Sequence, residues 1–199
     1  MPASGTELAA RLAARLCHDF AGPTGGILSG LDLLADQASA ISRDEALGLV
    51  RESARMLSSQ LAFARAAFGA GDGDVACDAL EALAGDLFEP IRPTLAWTAH
   101  TPVLPATAAR VLLNLVQLAA AALAAGGVVH VHARRDQGQV VLSVAAIGPR
   151  ARLFPEVQAG LAGRWVQGAF VHAITTDAGG DISARVEDGL ISFSATFKN

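Results

Sequence analysis

The sequence predicts an α+β fold: an N-terminal helical hairpin forming a dimeric four-helix bundle, followed by a C-terminal two-layer α/β sandwich. Three observations predict it. Apolar residues recur every three or four positions as far as Phe68, and apolar and polar residues alternate in short runs after Val128. Between these regimes Gly69-Ala70-Gly71-Asp72-Gly73-Asp74 breaks the composition and reads as a hinge. The expected domains are therefore residues 1–70 and 74–199.

The first helix is expected between Thr6 and Asp36, where Leu8, Leu12, Leu16, Phe20, Ile27, Leu31 and Leu34 form one apolar stripe. Ser42, followed by Asp44 and Glu45, has the chemistry of an N-terminal cap with first-turn acids. It opens a second helix whose stripe runs through Leu47, Val50, Ala54, Leu57, Leu61, Ala64 and Phe68. Leu49, Met56 and Phe63 make a second stripe beside it, too wide a face for one neighbouring helix to cover. Two hairpins would cover it, which predicts a homodimer; coverage by the second half of the chain is the alternative.

In that second half Val128–Ala133 and Val140–Val144 read as strands joined across Asp136-Gln137-Gly138. Ile182–Val186 and Leu190–Phe197 repeat the pattern around Glu187-Asp188-Gly189. Helices are expected from about Pro105 to Ala125 and from Arg164 to Asp177, one before each hairpin. Helices grouped with antiparallel pairs give the sandwich.

Composition narrows the class. The 199 residues are 52% hydrophobic and 17% charged, enough apolar surface for a packed core. A net charge of −4 without a Lys/Arg run leaves no footprint for nucleic acid or an anionic membrane. The longest apolar stretch, Val111 to Ala125, is too short to span a bilayer, and Met1 to Ala14 lacks a signal-peptide core, so a cytoplasmic protein is expected. Cys17 and Cys77 fit reduced thiols, and neither belongs to a CxxC pair that would suggest zinc.

His18 lies roughly 160° around the first helix from both Leu16 and Phe20, away from the core stripe. Arg11, Ala14, Arg15, Gly22, Gly25 and Ser29 share its face, so the imidazole stands above small residues that let another protein approach. Gly22, Gly25, Gly26 and Gly30 each cost the helix about 1 kcal/mol against alanine. Pro23 removes the hydrogen bond to the carbonyl of Asp19 and is expected to kink or loosen that turn. Function or close helix packing must offset these costs. A histidine suits phosphoryl transfer because one ring nitrogen can attack phosphorus while the other keeps a proton, held by an acceptor such as Asp19. The alternative is an incidental surface histidine beside an acid.

Read as a block, Leu16-Cys17-His18-Asp19-Phe20-Ala21-Gly22-Pro23 resembles the H-box of two-component histidine kinases, in which a His-acid pair and a proline five residues after the His recur. The continuation Gly25-Gly26-Ile27-Leu28-Ser29-Gly30-Leu31-Asp32-Leu33-Leu34 brings it closer to the alphaproteobacterial ChpT family of histidine phosphotransferases. The second half is similar to the ATP-binding domain of histidine kinases, in degenerate form. With Leu113–Ala119 laid on the kinase Asn-box, Leu118 stands where the Mg²⁺-holding asparagine would be. In Val144–Arg150, Ala146 replaces the aspartate that reads adenine and Arg150 replaces the second glycine of the Asp-x-Gly-x-Gly loop. Gly160, Gly163 and Gly168 are too scattered for a phosphate-cradling lid.

The resemblance implies a homodimeric phosphate shuttle that binds no ATP, cofactor or metal of its own. It would take a phosphoryl group from the receiver domain of a hybrid kinase on His18 and pass it to the aspartate of a CtrA-like response regulator, with Mg²⁺ held by the partner receiver. Asp19 is the second catalytic candidate, and Arg11, Arg15, Gly22 and Gly25 are expected receiver contacts. Two other readings fit: a divergent active histidine kinase, and a non-catalytic dimeric adaptor that binds receiver domains.

Other residues are assigned to structure. His130 and His132 share one side of a strand with no Cys or spaced acid to complete a metal site. Cys17 is expected to pack near the helix seam, Asn114 to be a capped or solvent-facing amide, and Trp97 and Trp165 to anchor the core or the domain interface.

Overall fold

The computed structural model describes residues 4–36, 41–152 and 166–198. Trp165, Gly160 and Gly163 lie outside them, as does Arg164 at the start of the last expected helix. The chain begins with α1 (Gly5–Ala35), capped by Ser4, and α2 (Arg43–Phe68), capped by Ser42. The second cap is a full capping box: Glu45 N–H donates to the Ser42 hydroxyl, while Ser42 N–H donates to the Glu45 carboxylate at 2.9 Å. The Ser42 hydroxyl, donating to the Glu45 carboxylate at 2.7 Å, and the Ser42 N–H together hold that carboxyl below the usual carboxylate range.

The two helices cross on glycine. A Cβ on Gly30 would stand 2.6 Å from Val50 Cγ2 and 3.1 Å from the Ala46 carbonyl, and one on Gly26 would meet Ser53. Gly30 beside Val50 and Gly26 beside Ser53 make the pair antiparallel. Gly22 and Gly25 have nothing within 4 Å of a Cβ, so the four glycines divide into two that let helices touch and two that open a surface. Opposite signs are expected: Gly30→Ala loses stability because overpacking, about 1–3 kcal/mol, outweighs its helix propensity, whereas Gly25→Ala gains about 0.5–1 kcal/mol in urea unfolding. Helix α1 runs on through Pro23, which is buried.

After the linker come β1 (Asp74–Ala76), α3 (Cys77–Phe88), β2 (Thr94–Ala99), β3 (Val103–Pro105), α4 (Ala106–Ala122), the hairpin β4 (Val128–Asp136) and β5 (Gln139–Ile147), α5 (Val166–Asp177), and the hairpin β6 (Asp181–Glu187) and β7 (Leu190–Lys198). Strands β1 and β3 pair apart, and the main sheet has the order β2-β4-β5-β7-β6, antiparallel except for β2 beside β4. Both expected hairpins are present. Val129, Val131, Leu142, Val144, Ala146, Ile191, Phe193 and Ala195 point into the core, and half-buried Trp97 packs on the same side. The alternate residues His130, His132, Ser143 and Ser194 lie on the other face.

Twelve of the 17 residues of α4 are buried, so the helix is wrapped by the rest of the chain, and any polar group on it needs an internal partner. Asn114, expected to be a capped or solvent-facing amide, is fully buried and capped from within. Its amide nitrogen donates to the carbonyls of Ala67 at 2.8 Å and Arg110 at 2.9 Å, tying α4 to the end of α2. The expected hinge is also fastened. Arg110 donates to the carbonyls of Gly69 at 3.2 Å and Gly71 at 3.4 Å, and Ala106 N–H to that of Gly73 at 2.8 Å. Phe68 and Phe170 add a tilted ring pair with centroids 5.4 Å apart across the same junction.

Phe63, from the second apolar stripe of α2, is buried in this shared core, so the second half of the chain covers that end of the stripe. Among the described residues of the two helices, the large apolar side chains left exposed are Leu28, Leu31, Leu49 and Leu61. Cys17, expected to pack near the seam, is exposed; Cys77 is buried, and burial is the main cause of its raised thiol pKa. Among the described residues no helix is long and apolar enough to cross a membrane.

Candidate functional site

The site is built on the outer face of α1 around its fourth turn, which carries His18 and Asp19. His18 presents 89% of its side chain to solvent. Arg11, Ala14, Gly22, Gly25 and Ser29, expected on its face, are all exposed, and the bare backbone at Gly22 and Gly25 leaves the imidazole standing clear. Asp19 Oδ1 lies 3.5 Å from His18 Nδ1. That is longer than an ordinary N–H···O hydrogen bond, so the carboxylate acts on the ring as a charge beside Nδ1.

The two expected arginines part company. Arg11 pairs with Glu7 one turn earlier on the exposed surface. Arg15, also expected as a receiver contact, is half-buried against the second domain. Its guanidinium donates to Gln167 Oε1 at 2.6 Å, and its Nε lies 3.6 Å from Asp19 Oδ2. Gln167 is 1% exposed and donates to Asn114 Oδ1 at 3.0 Å and Gln117 Oε1 at 2.7 Å.

Beside His18 runs a groove of about 610 Å³ between the hairpin and the second domain. Leu16, Phe20 and Phe63 give it an apolar floor, and Leu87 of α3 and Gln117 of α4 close its far side. Sequence reasoning missed Gln117, Leu87 and Gln167. A glutamine in the apolar run Val166–Phe170 was the available signal for the last of these.

Among the described residues no group of three or more His, Cys, Asp or Glu side chains is placed to hold a metal ion. Leu118 and Ala146, aligned with the kinase metal and adenine positions, are both part of the hydrophobic core.

Fold and site together define a class: a helical hairpin carrying an exposed histidine, joined to a domain with the histidine-kinase ATP-binding architecture. A family model for the histidine phosphotransferase C-terminal domain matches residues 77–189. Protein phosphotransferase ChpT of Brucella abortus (strain 2308) is 35% identical over 127 residues, spanning 62% of this chain and 59% of that protein. A solved bacterial phosphotransferase superposes with a TM-score of 0.86 at 27% identity, covering 98% of each chain. The histidine kinase domain of the Erythrobacter litoralis blue-light activated kinase EL346 shares the fold, with a TM-score of 0.52 at 12% identity over 89% of this chain and 95% of that one. The chain belongs to the histidine phosphotransferase family. The matched region begins at Cys77, so the assignment of His18 rests on α1 itself.

Proposed function

We propose that this chain relays a phosphoryl group from the receiver domain of a hybrid kinase, through His18, to the aspartate of a response regulator such as a CtrA-like protein. The observation that carries the reading is the exposed His18 imidazole, flanked by open glycines and by Asp19, at the rim of a groove shared with the second domain. Nε2 attacks the phosphorus of the aspartyl phosphate, the P–O bond breaks, and the donor aspartate leaves as a carboxylate. The reverse exchange loads the regulator, with Mg²⁺ on the receiver stabilising the transferring group. Gly22 and Gly25 admit the receiver, and Arg11 is placed to meet its acidic surface.

No nucleotide enters this scheme, because the two positions that would hold metal and adenine are packed core. The relay works in the cytoplasm as a homodimer, formed where Leu28, Leu31 and Leu61 leave the hairpin's apolar face uncovered. The test is incubation with labelled ATP alone and then with a phosphorylated hybrid-kinase receiver domain. Label is expected from the receiver only. Label from ATP alone would make the chain a kinase, and no label from either would leave a receiver-binding adaptor.

A further inference from the structure

We infer that Gln167, from the domain that lacks nucleotide chemistry, is a positioning residue for His18, acting through Arg15 and Asp19; this deepens the phosphotransfer reading above and rests on it. Each amide orientation along the path is forced. The Asn114 nitrogen faces the carbonyls of Ala67 and Arg110, which can only accept, so its Oδ1 must turn toward Gln167. The Gln167 nitrogen then donates to Asn114 Oδ1 at 3.0 Å and Gln117 Oε1 at 2.7 Å, which leaves Gln167 Oε1 pointing out of the core. Only a donor can meet it there, and Arg15 does so at 2.6 Å.

A long flexible arginine is thereby held at one place. Its Nε stands 3.6 Å from Asp19 Oδ2, and the other carboxylate oxygen stands 3.5 Å from His18 Nδ1. Two consequences follow for the reaction. The fixed carboxylate keeps the proton on Nδ1 and the lone pair on Nε2, and the guanidinium offsets a negative charge that would otherwise oppose an incoming phosphoryl group. Without Gln167, Arg15 is free to swing into solvent and Asp19 loses its partner.

The experiment pairs transfer kinetics with the imidazole's ¹⁵N chemical shifts in the full chain. Gln167→Leu is expected to lower the maximal single-turnover rate from a phosphorylated receiver about tenfold, with the half-saturating receiver concentration unchanged. It should also move the His18 shifts toward the Nε2–H tautomer. Arg15→Met, a change at a half-buried position that keeps the helix, should reproduce both effects even if Gln167→Leu fails to fold, and adding Gln167→Leu to it should cost nothing more. Unchanged shifts, or losses that add in the double variant, would overturn the inference while leaving transfer through His18 intact. Wild-type protein that accepts no phosphate from a receiver would remove the underlying reading and this one together.

Discussion

His18→Gln will carry no phosphate after incubation with a phosphorylated receiver domain, while the parent chain acquires an acid-labile, base-stable phosphoryl group. Glutamine keeps the polarity and much of the reach of the imidazole but has no lone pair able to attack phosphorus at neutral pH. Because the side chain is 89% exposed, unfolding free energy should stay within about 0.5 kcal/mol of the parent. Intact-mass measurement of both proteins decides it: phosphate retained on the variant would move the acceptor elsewhere. Unimpaired signalling by a chain without phosphate would instead favour an adaptor.

The second large effect is on stability. Asn114→Asp conserves shape but sets a buried carboxylate against the carbonyl oxygens of Ala67 and Arg110, at 2.8 and 2.9 Å, where the parent amide donates. An uncompensated buried charge costs about 3–5 kcal/mol, a large part of the roughly 5–15 kcal/mol by which a domain is folded. The introduced carboxyl titrates at about 3.9 in the unfolded chain and higher in the fold, since burial and both carbonyls disfavour its charge. A raised folded value means the penalty is absent below the unfolded value and grows as pH rises through the folded one. Urea unfolding of both proteins from pH 7 down to pH 4 should therefore show the gap narrowing with acid, and a gap independent of pH would contradict the assigned hydrogen bonds.

Asn114 also shows where the sequence stopped being legible. Periodicity placed α1, α2 and α4 and both hairpins because those signals are local: a 3.6-residue stripe, a cap at Ser42 with acids in the first turn, turn residues between alternating runs. Two of the partners of Asn114, Ala67 and Gln167, lie 47 residues before it and 53 after it, and no spacing rule connects them. Strand β2 was missed for a similar reason. It pairs in parallel with β4 through a crossover containing α4, so no turn signal marks it, and Thr-Leu-Ala-Trp-Thr-Ala alone is too short to separate from a loop. At the site, His18 and its open glycines were readable from one helix face. The fate of Arg15 was not, since its place is decided by α5 rather than by its own helix.

The fastened linker bears on association. Two domains on a loose tether would have to be ordered against each other whenever a partner bridged them, and that loss of freedom would weaken every complex. Here Gly69, Gly71 and Gly73 are tied to α4, and Asn114 and the Phe68–Phe170 pair lock the junction. The ordering is complete before any encounter. A partner spanning both halves would meet a preorganised surface and dock as one rigid body on another, so discrimination among related partners would fall to shape and charge at the groove rather than to the entropy of closing it.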